Sequence, residues 1–219
     1  MAVDSALGKE IALALVKAVQ DNKDYLSEID GLIGDGDHGV NMNKGFTMFA
    51  DKIADRADMR LDEAFRLLGR TLLGDIGGSM GPLYGSFFIE MAKTAKGRAY
   101  IDGPLFADML DAALAGVQSV GGAQPGDKTL VDCLFPVCVK FRKAVNEGLD
   151  FTDCLKQMKL DAALGRDSTK QLAAKLGRAS RLGGRSVGVP DAGACSCCII
   201  LTAIADKMIS IGYQGEQAR

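Results

Sequence analysis

Asp30, Asp35 and Asp37 fall within eight residues, and His38 and Gly39 follow at once. Carboxylates held this close repel one another and cost stability unless a cation sits among them. Oxygen donors of this kind suit Mg²⁺ or Ca²⁺ better than zinc. The competing reading is an acidic helix end flanked by a solvated turn. The surrounding glycines, with Asn41 and Asn43, favour a metal site whose remaining positions take waters or substrate phosphates. An EF-hand is excluded, because the twelfth residue counted from Asp35 is Phe46, where that loop needs glutamate.

Two further segments suit an anion. Gly77-Gly-Ser-Met-Gly-Pro82 precedes a helix, so its backbone can approach a ligand closely and the helix start offers free N–H groups. Alone it would read as a helix–helix connection. Arg178, Arg181 and Arg185 lie within eight residues of an otherwise acidic chain, followed by Asp191-Ala-Gly193. Guanidinium forks match phosphate oxygens, although a solvated basic loop has the same composition. An acidic cluster, an anion-ready turn and an arginine loop together are the parts of a Mg–nucleotide site. Three aspartates and an ADP sum to about −6; one Mg²⁺ and one arginine leave about −3, and a second Mg²⁺ about −1, so two ions are expected.

Other candidates carry less. Gly34-Asp-Gly-Asp-His-Gly39 matches G-x-G-x-x-G, but no strand precedes it and its carboxylates would repel a bare pyrophosphate. Gly121-Gly-Ala-Gln-Pro-Gly-Asp-Lys-Thr129 resembles a P-loop with one residue too many, and reads as a loop-to-helix turn with Thr129 near the helix start. His38, the one histidine, could act as a base, touch a nucleotide or cap its turn. Cys195, Cys197 and Cys198 sit in an apolar helix without zinc spacing, as small buried hydrophobes do.

The elements that position these loops read as helices. Apolar residues recur every three to four positions, and strand-like alternation is nearly absent. Faces are expected at Leu7, Ile11, Leu13, Leu15 and Val19; at Tyr25, Ile29, Leu32 and Ile33; at Phe46, Phe49 and Ile53; and at Leu61, Phe65, Leu68, Leu72 and Leu73. Further helices are expected over Leu83–Lys96, from Asp102-Gly-Pro104 onward, over Leu130–Asn146 with a kink at Pro136, over Cys154–Leu176 and over Ala194–Ile211. The sum is an all-α chain of eight or nine helices, with most of its 27 glycines in the connections.

No linker divides residues 1–219, so a single domain is expected. Hydrophobic residues at 47%, charged residues at 25% and a net charge of −2 exclude a disordered chain and a broad nucleic-acid-binding surface. The apolar run Ala192–Ala205 is interrupted by Ser196 and Thr202 and falls short of the roughly 18 residues a membrane span needs. Asp4, Lys9 and Glu10 do not suit a signal peptide, so a cytoplasmic location with six reduced cysteines is expected.

As an ordered set, Ile33-Gly-Asp-Gly-Asp-His-Gly39 with Asn41 and Asn43, Gly77 to Pro82, Pro125-Gly-Asp-Lys-Thr129, Gly177-Arg-Ala-Ser180 and Asp191-Ala-Gly193 resemble the DhaL family. This is the nucleotide-binding subunit or domain of dihydroxyacetone kinases. The resemblance implies an eight-helix antiparallel barrel with ADP or ATP held by loops at one end. It implies that Asp30, Asp35 and Asp37 hold two Mg²⁺ and that His38, Gly39, Val40 and Asn41 touch the nucleotide. Gly78, Ser79 and Met80 would wrap the phosphates, Gly121 and Leu130 would line the base pocket, and Arg178, Asp191, Ala192 and Gly193 would close the site. The family's usual hydroxyl residue is replaced here by Met80, with Ser79 before it; backbone contacts to phosphate survive that exchange and a side-chain contact does not. A DhaK-type subunit would bind the ketose, dihydroxyacetone or another such as erythrulose. ATP would exchange, or a DhaM-type phosphotransferase protein would rephosphorylate bound ADP. A homodimer is compatible with all of this. Outside the family, the alternatives are a Mg-dependent phosphohydrolase, a nucleotide sensor without chemistry, or a plain helical scaffold.

Overall fold

The computed structural model describes residues 1–217. Among them are nine α-helices: α1 (Gly8–Asp21), α2 (Lys23–Ile33), α3 (His38–Ile53), α4 (Leu61–Asp75), α5 (Met80–Thr94), α6 (Gly103–Gly121), α7 (Leu130–Asn146), α8 (Phe151–Ser168) and α9 (Ala192–Gln217). The chain is all-α apart from two antiparallel strands of two residues, β1 (Val3–Asp4) and β2 (Tyr100–Ile101), which fasten the N-terminus to the α5–α6 connection.

Several helix starts are set by short polar side chains. The Asp102 carboxylate accepts from Leu105 N–H at 3.0 Å at the head of α6, where Pro104 occupies the first turn and has no N–H to satisfy. Thr129 caps α7, with the Asp132 carboxylate accepting from Thr129 N–H at 2.7 Å in return. Asp150 caps α8 by accepting from Thr152 N–H at 2.8 Å.

Short connections make successive helices neighbours, α4 on α5, α5 on α6, α6 on α7 and α7 on α8, and α9 packs on α8 across the longer 169–191 connection. Helix α9 then packs on α1, and α1 on α4, so the succession of neighbours closes on itself. Phe46, Phe65, Phe87 and Phe88 tie α3, α4 and α5 by edge-on ring contacts, with Phe88 5.0 Å from Phe87 and 5.3 Å from Phe65.

Several sequence expectations shift. Leu13, Leu32 and Leu73 are exposed, because the buried stripes of α1, α2 and α4 are narrower than apolar spacing implied; in α2 only Leu26 and Ile33 are fully buried. Helix α5 starts at Met80 rather than Leu83. The helix expected to reach Leu176 stops at Ser168, continues as a 3-10 turn over Thr169–Gln171 and then opens into a loop. That loop holds a 3-10 stretch, Arg178–Ser186, broken at Gly183. The apolar C-terminal segment is longer than its run of residues suggested. Ala192–Gly212 is long and apolar enough to cross a membrane, but 61% of its most apolar window is buried inside this structure, as in a core helix. All six cysteines are free and buried.

Candidate functional site

The connections α2–α3, α4–α5, α6–α7 and α8–α9 meet at one end of the molecule around a cleft of about 610 Å³. Its wall includes Asp30, Asp35, Asp37, His38 and Asn41 from the first connection and Gly77 to Met80 from the second. The third supplies Gly121, Lys128 and Leu130, and the fourth Arg178 and Asp191 to Gly193. Residues more than 160 positions apart thus face one volume, large enough for a small-molecule ligand.

The acidic loop has a defined shape. Helix α2 ends at Ile33, and Gly34 N–H donates back to Asp30 O at 2.5 Å. Gly36 then adopts φ +75°, a left-handed turn that a side chain would oppose. Gly39 lies against the backbone of Lys23 and Ser27, so α3 departs in contact with α2 and no Cβ fits between them. The turn gathers one carboxylate oxygen each from Asp30, Asp35 and Asp37 within 4.8 Å of one another. Asp30 is partly buried and also accepts from His38 N–H at 3.3 Å; Asp35 and Asp37 are exposed. Three hard oxygen donors at this separation fit a divalent cation such as Mg²⁺. Arg178 reaches across from the α8–α9 loop, pairs with Asp35, and stands 3.7 Å from Asp37.

In the same cleft lining, Gly77–Ser79 lead into α5. Gly78 adopts φ +74°, and the first N–H groups of the helix lack intrahelical acceptors by construction. Leu83, Val117, Val120 and Leu176 give the cleft an apolar wall.

His38 does not face this space as a base. Its Nε2 lies 2.9 Å from Ser196 Oγ, which is 2.6 Å from Tyr84 Oη; Tyr84 also donates to Gly193 O at 3.2 Å. Burial pulls the imidazole pKa down to about 4, against the opposing influence of Asp30, so the ring is neutral at pH 7. The chain His38–Ser196–Tyr84 links α3, α9 and α5 just behind the cleft. Asp191 caps α9, accepting from Ala194 N–H at 2.8 Å. Its surroundings push its carboxyl up to about 7, chiefly by burial.

Two sequence-nominated residues do not line the cleft. Gly39 is packed against α2, and Val40 points to solvent, half exposed. Their neighbours His38 and Asn41 do line it, because successive residues of α3 face different directions. Sequence reading missed the apolar wall, whose members look like ordinary helix residues, and it missed Lys128. That side chain is not aimed at an anion as in a P-loop: it is buried, and its Nζ donates to four backbone carbonyls. Its backbone φ of +60° is the one unusual feature, and spacing does not reveal it.

Residues 32–206 match the family model of the DAK2 domain, and the chain belongs to that family. Within it the chain is most readily compared with the DhaL subunits. It is 37% identical over 182 residues to the ADP-binding subunit DhaL of the PEP-dependent dihydroxyacetone kinase of Escherichia coli, covering 83% of this chain and 87% of that one. It is 38% identical to the ADP-binding subunit DhaL of the PTS-dependent dihydroxyacetone kinase of Lactococcus lactis, covering 86% and 90%. It is also 35% identical to an L-erythrulose kinase of Pectobacterium atrosepticum, but spans 32% of that longer chain. The crystal structure of the dihydroxyacetone kinase of C. freundii in complex with AMP-PNP and Mg²⁺ superposes with a TM-score of 0.69 at 24% identity, over 92% of this chain and 34% of that one. That likeness establishes the shared helical fold.

Proposed function

We propose that this chain is the nucleotide-binding subunit of a dihydroxyacetone kinase, carrying the phosphoryl group on Mg-bound ADP or ATP for transfer to a ketose held by a separate DhaK-type subunit. The observation that carries this reading is the convergence of four connections on one cleft, whose lining includes both the three clustered carboxylates and a glycine-rich helix start. Relatives of similar length named as ADP-binding DhaL subunits support it.

Asp30, Asp35 and Asp37 would hold the metal, two Mg²⁺ on the charge argument above. Mg²⁺ held there would supply charge neutralisation to the phosphates. The chain's own residues do the rest. Gly78, Ser79 and Met80 present backbone N–H groups to phosphate, and Met80 in place of a hydroxyl residue leaves that backbone role intact. Leu83, Val117, Val120, Gly121 and Leu130 shield the base. Arg178, now paired with Asp35, would be free to meet phosphate oxygens if a metal took that carboxylate, while Asp191, Ala192 and Gly193 close the wall beside α7. Neutral His38 fixes the start of α3 and leaves the nucleotide contact to Asn41 and neighbouring backbone. No side chain here is placed as a nucleophile, so catalysis is positioning and charge compensation.

In this reading the closed succession of helices is the family's antiparallel barrel, its eight helices counted with α1 and α2 as one element bent at Asn22. The subunit works in the cytoplasm. ADP stays bound and is rephosphorylated by a DhaM-type protein, as the PEP- and PTS-dependent names of the relatives suggest. The ketose is chosen on the partner, so the erythrulose kinase relative keeps a second short ketose open. The test is reconstitution. With dihydroxyacetone and a phosphoryl donor, the chain alone should form no sugar phosphate. Once a DhaK-type subunit is added, turnover should start with a phosphorylated DhaM-type protein as donor, and Mg-ATP in its place should support it only if the bound nucleotide exchanges. Steady release of inorganic phosphate by the chain alone would instead identify a phosphohydrolase.

A further inference from the structure

Lys128 is 1% exposed, and its ammonium donates to the carbonyls of Thr169 at 2.8 Å, Leu172 at 3.1 Å, Ser186 at 2.7 Å and Val189 at 2.6 Å. Thr169 and Leu172 precede the 3-10 stretch that begins at Arg178; Ser186 ends it and Val189 follows it. Both ends of one long loop are therefore fastened to a single cation. The rest of the loop's stem is sewn beside it. Gly188 N–H donates to Lys170 O at 2.8 Å, Ala174 N–H to Ser186 Oγ at 2.9 Å, and Lys175 N–H to Asp127 O at 3.1 Å. Asp191 N–H donates to Thr169 Oγ1 at 2.9 Å, which carries the same fastening to the start of α9. This is an Ω-shaped excursion closed at its base, with Arg178 projecting from it to Asp35.

We propose that Lys128 is a positioning residue for the nucleotide site: by closing the base of the 172–189 loop it sets the reach of Arg178 to the aspartate cluster and the place of Asp191 in the wall. The inference rests on the nucleotide-binding reading above. Its physical ground is that the four acceptors are backbone carbonyls of the loop and its two stems. Removing the ammonium leaves them short of donors while the helix interfaces stay intact. The loop then loosens, and Arg178 with it.

The test measures Mg–ADP affinity for the wild type, Lys128→Met, Arg178→Ala and the double variant, beside the rate of tryptic cleavage at Arg178, Arg181 and Arg185. Lys128→Met should weaken Mg–ADP at least tenfold and speed cleavage of the loop. The double variant should bind no worse than Lys128→Met within about threefold, because both changes disable one device. Losses that multiply, or an Mg–ADP affinity unchanged in Lys128→Met, would overturn the proposal. Lys128→Gln keeps two donors and should fall between; it replaces Lys128→Met if that chain does not fold. Failure of both to fold, even with Mg–ADP present, would make Lys128 a requirement of the fold and overturn a positioning role. A wild type that binds no nucleotide would sink the underlying reading instead, while protease resistance of its loop, lost in the variants, would still report the clasp.

Discussion

Arg178 pairs with Asp35, so at the proposed metal site this guanidinium would compete with a cation for the same carboxylate. Arg178→Ala should therefore bind Mn²⁺ alone more tightly than the wild type, read by the paramagnetic signal of the free ion, and bind Mg–ADP more weakly. Equal Mn²⁺ affinity would show that the pair does not compete with metal. Asp191 gives a pH prediction. Its carboxyl is raised from 3.8 to about 7, so between those values the native state holds a proton that the unfolded chain has lost. Stability from this group is present below the lower value and lost as pH rises through the upper one. Asp191→Asn keeps a capping oxygen for Ala194 N–H and removes the charge. Its melting temperature without nucleotide should exceed that of the wild type at pH 8 and converge with it near pH 4. A variant less stable at pH 8 would contradict the assignment. At this scale the sequence was legible for groups recognised by type and spacing, such as Asp30, Asp35, Asp37 and Arg178. It named His38 but not the hydrogen-bonded chain that joins it to Ser196 and Tyr84, nor the clasp made by Lys128, because those are set by contacts between residues 40 to 160 positions apart.

Among the elements, the meeting of α2 and α3 at Gly39 sets the aspartate turn. Gly39→Ala would place a Cβ against the α2 backbone, and overpacking of this kind costs about 1–3 kcal/mol. Denaturant unfolding should show that loss, with Mg–nucleotide affinity falling as the turn shifts. A fully stable Gly39→Ala would mean the helices can separate freely. Helix α7 is legible to the residue, Leu130–Asn146, because Thr129 and Asp132 form a local capping box and the helix ends by its own residues. The segment after α8 was misread. Its alanines and leucines continue a helical pattern past Ser168, but Thr169, Lys170 and Leu172 give their backbone groups to Lys128 and Gly188 instead. Tertiary donors outcompeted local propensity there.

For the whole molecule, the closed ring of helices is a scaffold that brings four loop regions to one end, and its core is shared rather than divided. Phe88 touches rings from α3, α4 and α5, so Phe88→Ala should cost about 3–5 kcal/mol and lower the melting temperature of the entire chain in one transition. Two separated transitions would contradict a single cooperative unit. The all-α class was readable from periodicity. The closure of the ring was not, because α1 meeting α9 depends on faces that spacing alone drew too broadly. On the proposed function, this end of the ring holds a Mg–nucleotide. Denaturing the purified protein and separating the released nucleotides by anion exchange, beside Asp35→Ala, reads that occupancy. Stoichiometric ADP in the wild type, absent from the variant, is the expected result. A protein that carries no nucleotide, and takes up neither ADP nor ATP at any Mg²⁺ concentration, would contradict it and leave the aspartate turn as a solvated loop.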